Sequence, residues 1–331
     1  MIIHLKACSE EQAKALGEKH KAFCMFDGER HVLINSSSVK ELPADLEEYT
    51  EDYWVFPNDN QLASRHYRNE TRTIDLGGIR IGGSSQNTLL IGGPCSVESE
   101  DQIRTSASFM NGLGLKMFRG GCYKPRTSPY SFQGLGIEGL KLLAKMRDEF
   151  GMKIITEVRD ASHVQDVIDY TDVVQIGAKS MYDHGILKAC AKARKPVMIK
   201  RGFGTTLQEF VQAAEFILSG GNNDVILCER GIRTFEHGTR FTLDLCGVAW
   251  LKEHTNLPII LDPSHAMGYA YGVADLGRAC VAMGIDGLLI ESHPNPKVAK
   301  SDASQQLDHE QFEKLYHSLK PVAESVGYRM I

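Results

Sequence analysis

Cysteine pairs are what this sequence most conspicuously lacks. Its eight cysteines lie scattered over 331 residues with no C-x-x-C among them, which excludes a disulfide scaffold by pattern. Most of them read as small core fillers in a reducing compartment, and the cytoplasm is the expected location. No apolar run approaches the roughly 18 residues of a membrane span. The opening Met1-Ile2-Ile3-His4-Leu5-Lys6 has neither the apolar region nor the cleavage site of a secretion signal. Long blocks of like charge are absent too, and the net charge is −5, so neither nucleic acid nor a membrane is an expected partner. What remains is an ordinary globular composition, 42% hydrophobic and 24% charged, long enough for one large domain and a small one.

The first 65 residues stand apart. Ile2–Leu5 reads as a strand, Glu10–Lys19 as a polar helix, and Ala22–Phe26 with His31–Ile34 as a hairpin around Asp27-Gly28. Val39–Leu46 is expected as a short helix and Tyr53–Phe56 as a last strand. That β-α-β-β-α-β order suggests a small ferredoxin-like domain over 1–65, with the rest of the chain, 66–331, as a second domain. A further hairpin is expected at Thr73–Leu76 and Ile79–Ile81, around Gly77-Gly78.

From residue 88 the pattern turns regular. Eight short apolar strands are expected: Thr88–Ile91, Lys116–Phe118, Lys153–Thr156, Val173–Ile176, Val197–Ile199, Val225–Leu227, Ile259–Leu261 and Gly287–Ile290. Amphipathic stretches fill most of the intervals. The clearest begins with the capping pair Thr206 and Glu209, buries Leu207, Phe210, Val211, Ala214, Ile217 and Leu218 on one face, and ends at Gly220-Gly221. A terminal helix starts near Asp308, and Pro321 is expected to bend or end it. Eight doubly apolar strands alternating with helices predict an α/β fold, a (β/α)8 barrel. An open doubly wound sheet is the rival.

In such a barrel the chemistry lies at the C-terminal strand ends. Those ends carry Arg119, Lys124, Arg126, Lys179, Lys200, Arg201, Arg230 and Arg233, although the chain is acidic overall. Singly, each could be a solvated rim residue in an ion pair. Together they fit anionic substrates, and phosphate suits the arginine fork. Cys95, His265, Glu291 and Asp302 come from strands 1, 7 and 8 and a following loop. Strands 1, 7 and 8 are neighbours in a closed barrel. A thiol, an imidazole and two carboxylates favour Mn2+, Fe2+, Co2+ or Zn2+ over Mg2+ or Ca2+. The bland alternatives are a buried small side chain for Cys95, a loop histidine for His265 and a salt-bridge partner for Glu291. Gly134-Leu-Gly136-Ile-Glu-Gly139 fits the dinucleotide fingerprint, but no apolar strand precedes it, so it reads as a loop and helix start.

At this point the residues resemble a known family. Gly93-Pro94-Cys95-Ser96-Val97-Glu98, Arg119-Gly120-Gly121, Lys124-Pro125-Arg126-Thr127-Ser128-Pro129, Ile199-Lys200-Arg201-Gly202, Asp262-Pro263-Ser264-His265 and Glu291-Ser292-His293-Pro294 resemble the DAHP (3-deoxy-D-arabino-heptulosonate 7-phosphate) synthases, in their subtype with a small N-terminal domain. The resemblance spans about residues 70–331. It implies condensation of phosphoenolpyruvate with erythrose 4-phosphate, the first step of the shikimate route, and a divalent metal, Mn2+ first, on Cys95, His265, Glu291 and Asp302. It also implies Arg119, Lys124, Lys200 and Arg230 on phosphoenolpyruvate, and Arg126, Thr127 and Ser128 on the aldose phosphate. Ala178 and Lys179 join the substrate residues, although the family carries Arg where Lys179 stands, so a planar fork is lost there. Lys124, Cys95 and His265 are the expected catalytic residues, with Lys124 as proton donor. A homo-oligomer, a tetramer, and an aromatic amino acid effector sensed by residues 1–65 are further implications. The rivals are the sister KDO8P synthases, which use arabinose 5-phosphate, a sialic-acid-type synthase, and a non-catalytic phosphometabolite sensor.

Overall fold

The computed structural model describes residues 1–124 and 128–331. In the first part of the chain, β1 (Ile2–Leu5), β2 (Phe23–Phe26), β3 (His31–Ile34) and β4 (Thr50–Trp54) form an antiparallel sheet in the order β2-β3-β1-β4. One helix, α1 (Glu10–His20), accompanies it. Ser9 caps α1 by accepting the Gln12 N–H, and Lys21 ends it in left-handed backbone.

Two expectations fail in this part. Val39–Leu46 is not a helix; a single 3-10 stretch, Ala44–Tyr49, follows Pro43 with no side-chain cap to extend it. The last strand is Thr50–Trp54, not Tyr53–Phe56, because Ile2 pairs with Trp54 and Leu5 with Thr50. That edge strand is largely exposed and polar, so no apolar run announces it.

The hairpin β5 (Thr73–Asp75) and β6 (Arg80–Gly82) turns on Asp75, whose Oδ1 accepts the Gly77 and Gly78 N–H groups at 2.8 Å each. Its Ile74, Leu76 and Ile81 are buried against Leu89, Ile91, Met117, Ile155 and Val173 inside the next sheet. The hairpin is a stopper.

That sheet comprises β7 (Asn87–Gly93), β8 (Met117–Arg119), β9 (Lys153–Val158), β10 (Val173–Ile176), β11 (Val197–Lys200), β12 (Val225–Glu229), β13 (Ile259–Leu261) and β14 (Gly287–Glu291). Each pairs in parallel with the next, and β14 returns to β7, from Gly287 beside Leu89 to Glu291 beside Gly93. The closure makes a (β/α)8 barrel and eliminates the open-sheet rival. A short β15 (Arg329–Met330), unexpected from the sequence, pairs with β7 at Asn87 and Thr88.

Helices α2 (Glu100–Gly112), α3 (Ile137–Phe150), α4 (Val164–Tyr170), α5 (His184–Lys192), α6 (Leu207–Ser219), α7 (Leu245–His254), α8 (Pro263–Met267), α9 (Ala270–Ala282) and α10 (His309–Ser325) accompany the strands. The capping box of α6 forms as expected between Thr206 and Glu209. Pro321, by contrast, does not end α10. Its ring lies on the exposed side while Phe312, Leu315, Tyr316, Leu319 and Ala323 stay buried across it. Gly136 starts α3 at φ 59°, and no strand occurs in 128–136, so the glycine triplet is a loop and helix start. Among the described residues no helix is long and apolar enough to cross a membrane.

The link between the two parts is tied to the stoppered end. Glu215 of α6 accepts the N–H groups of Gln61, Leu62 and Ala63 at 2.8, 3.2 and 2.7 Å. Arg72 donates to Asn223 and Asn256, which precede β12 and β13, at 2.9 Å each.

Candidate active site

The opposite end of the barrel is polar. Strand β7 reaches it through Gly93, at φ 143°, where a Cβ would lie 2.2 Å from the Arg119 carbonyl oxygen. Only glycine lets β7 and β8 approach so closely. Cys95 follows, fully buried, its N–H donated to Gln306 Oε1 at 2.9 Å.

One chain of polar contacts crosses the mouth. Arg119 at the end of β8 pairs through Nη1 with Glu291 Oε1 at the end of β14. The same Glu291 oxygen lies 3.4 Å from His265 Nε2, and His265 Nδ1 lies 2.7 Å from Asp262 Oδ2. That second contact is short but misses hydrogen-bond geometry. Lys200 at the end of β11 donates to Asp262 Oδ2 at 2.5 Å. Cys95, Glu291 and Asp302 bring ligand atoms within 4.8 Å of one another, a group that could hold a metal ion. His265 stands beside this trio rather than within it, touching it through Glu291.

Lys124 binds the thiol side, with Nζ 3.0 Å from the Cys95 carbonyl and 3.1 Å from its Sγ. Burial opposes its charge, but Cys95 and Glu157 outweigh that and raise its pKa. Burial also pushes the Cys95 thiol up to about 12, with Glu291 adding to the effect. Burial works against the Glu291 carboxylate as well, yet His265, Arg119 and Lys124 hold it well below the usual range. Asp262 is held low against burial by His265 and Lys200. His265 itself is lowered by burial, against the pull of Asp262 and Glu291, and so keeps a lone pair.

The expected cations divide into two kinds. Arg119, Lys124, Lys200 and Arg230 are at most 8% exposed. Among the described residues Arg230 has no carboxylate pair and its buried Nη1 no hydrogen-bond partner; its guanidinium lies 4.4 Å over the Phe241 ring. Such a group calls for an anion. Arg201 is equally buried but committed, to Glu229 at 2.9 Å and Asp244 at 2.8 Å, and so braces the fold. Arg233 is exposed above Phe203. Lys179 is exposed in a 3-10 turn after β10, beside a half-buried Ala178, so the structure does not gather it with the buried cations. Ser128 caps a turn by accepting the Tyr130 N–H at 3.3 Å. Arg126 and Thr127 lie outside the described residues.

Sequence reasoning carried Asp262 within the Asp262-Pro263-Ser264-His265 run and gave it no role, yet it joins Lys200 to His265. The signal was the Asp262-Pro263-Ser264-His265 run itself, since Asp262 also caps α8 by accepting the His265 N–H. Gln305 and Gln306 were missed altogether.

Comparison with known proteins identifies the family. Residues 61–327 match the model of the DAHP synthetase I family. A phospho-2-dehydro-3-deoxyheptonate aldolase of Thermotoga maritima is 44% identical over 270 residues, covering 82% of this chain and 79% of the relative. The crystal structure of a DAHP synthase from the same organism superposes with a TM-score of 0.81 at 37% identity, covering 100% of this chain and 98% of that one. A 2-dehydro-3-deoxyphosphooctonate aldolase of Magnetococcus marinus is more distant, 32% identical over 75% of this chain and 92% of its own length. The chain belongs to the DAHP synthetase I family.

Proposed function

We propose that the barrel mouth joins phosphoenolpyruvate to erythrose 4-phosphate and water, releasing DAHP and phosphate. The observation that carries this reading is the unbroken run Arg119–Glu291–His265–Asp262–Lys200, which makes the cations and the metal-ligand types one site. The group fits a metal. Thiol and carboxylates crowd together, with the imidazole beside them and the thiol held protonated by burial, and a divalent cation would relieve both the crowding and the burial cost. Cys95, His265, Glu291 and Asp302 would hold it, Mn2+ foremost and Fe2+, Co2+ or Zn2+ also suited. When bound, the metal supplies Lewis-acid polarisation of the aldehyde.

The chain's own residues do the rest. Arg119, Lys124, Lys200 and Arg230 hold the phosphate and carboxylate of phosphoenolpyruvate, and the free Nη1 of Arg230 gains its partner. Arg126, Thr127 and Ser128 receive the aldose phosphate, with Ala178 and Lys179 at the rim. The enol carbon of phosphoenolpyruvate attacks the aldehyde carbon while Lys124, as ammonium, protonates the developing alkoxide to give the new hydroxyl. Water adds at C2, its lost proton balances the one Lys124 gave, and the hemiketal phosphate expels inorganic phosphate.

Phosphate release should require both substrates and a divalent metal. Faster turnover with arabinose 5-phosphate than with erythrose 4-phosphate would transfer the chain to the sister activity. The 44% identity to a heptonate enzyme, against 32% to an octonate one, favours erythrose 4-phosphate. Intact ligand positions speak against a pure sensor.

Residues 1–65 support a reduced ferredoxin-like domain, since their sheet order is that of the fold although one helix is missing. We read 66–331 as the catalytic barrel of a cytoplasmic homotetramer, with the small domain answering to an aromatic amino acid. Tyrosine or phenylalanine should inhibit the full chain and not a form starting near Arg68. Equal insensitivity of both would leave the small domain a purely architectural role.

A further inference from the structure

The loop after β14 holds more than Asp302. Its Leu307 pairs with the strand end, donating N–H to the Glu291 carbonyl at 3.0 Å and accepting the His293 N–H at 2.9 Å. Asp302 itself sits in left-handed backbone, φ 45°, which a tight turn demands. The turn carries Gln305 under the site, 1% exposed. Gln305 Nε2 donates to Glu291 Oε2 at 2.5 Å, and its Oε1 accepts Arg240 Nη1 at 2.8 Å.

The arrangement is polarised. The amide carbonyl faces a cation and the amide N–H faces a carboxylate, so its orientation is fixed at both ends. Glu291 thereby has each oxygen assigned: Oε1 to Arg119 and the His265 side, Oε2 to Gln305. A glutamate at 305 could satisfy Arg240 but would set a second anion against Glu291. A methionine would fill the space and satisfy neither.

We propose that Gln305 is a positioning residue for the site, holding the Glu291 carboxylate in its ligand orientation by a neutral donor. The inference rests on reading Cys95, His265, Glu291 and Asp302 as metal ligands. Partners of this kind behind a ligand are worth about 10–100-fold in metal affinity.

The test is titration of metal-free full-length protein with Co2+, followed by the thiolate-to-cobalt absorption that Cys95 would give. Q305M and Q305E should each bind Co2+ about 10–100-fold more weakly than the parent, with melting temperatures in EDTA close to the parent's. No thiolate–cobalt band in the parent would overturn the metal reading and this inference with it. A parent band with both variants within threefold of it overturns the role of Gln305 alone. Weak binding by Q305M with normal or tighter binding by Q305E would assign the effect to Arg240, and the reverse to added charge; both overturn it. A metal-free melting temperature that falls in step with affinity marks packing, and does the same.

Discussion

The two ends of the barrel solve opposite problems. At the N-terminal end Ile74, Leu76 and Ile81 of the hairpin close the interior with apolar contact, and Arg72 there is held by neutral acceptors, two asparagine side chains and the Leu62 carbonyl. At the mouth the buried groups are charged, and most are tied to a charge of the other sign. Packing at one end frees the other to be costly. Buried ions give little net stability against apolar replacements, so the charged mouth depends on a well-packed barrel beneath it.

The largest effect should come from the mouth. Cys95→Ala, or exhaustive EDTA treatment, should lower kcat about a thousandfold, since Lewis-acid stabilisation is worth several kcal/mol. Mn2+ should restore the EDTA-treated parent but not the variant. Full activity of a rigorously metal-free preparation would remove the metal from the mechanism. The stoppered end should behave inversely. Ile81→Ala should cost about 2–5 kcal/mol of stability in a denaturant melt, while the folded fraction keeps its kcat. A tenfold loss of kcat at unchanged stability would break the division of labour.

Within the mouth, Arg126→Ala should raise KM for erythrose 4-phosphate about ten- to a hundredfold, the worth of a charge-assisted hydrogen bond. The KM for phosphoenolpyruvate should move far less. Equal rises in both would mean the two anion sites are not separate.

The smallest effect concerns the link. Burial lifts the Glu215 carboxyl to about 7, against the three N–H groups and Arg72 that favour its charge. A carboxyl raised on folding opposes the folded state once the unfolded chain ionises. Its contribution is therefore undiminished below about pH 4.5 and declines as pH climbs to about 7. Glu215→Gln should flatten that decline in melts run at pH 5 and pH 8. An unchanged pH dependence would place the titration elsewhere.

The barrel was legible because its strands are apolar on both faces, and all eight were found. Their ends were read short in one direction. β9 continues from Thr156 to Val158, β11 from Ile199 to Lys200, β12 from Leu227 to Glu229, and β14 from Ile290 to Glu291. An apolar scan stops at the first charged side chain, whereas the strand goes on wherever that charge finds a partner. Site residues therefore looked like loop residues when several are the last rungs of the sheet. The metal-ligand types were legible from their strand of origin. Gln305 was not, since an uncharged amide after a turn has no periodicity and gains meaning only from the carboxylate above it. In residues 1–65 the reading failed where the expected second helix and the edge strand lack an apolar face.

The seam between β7 and β14 has a kinetic meaning. It pairs Leu89 with Gly287, the first barrel strand with the last, so loop-closure entropy must be met across almost the whole barrel. Cys95 follows one of those strands and Glu291 ends the other. No partial barrel brings them together, and ion capture by that pair would report the final closure in refolding, later than any signal from the helices.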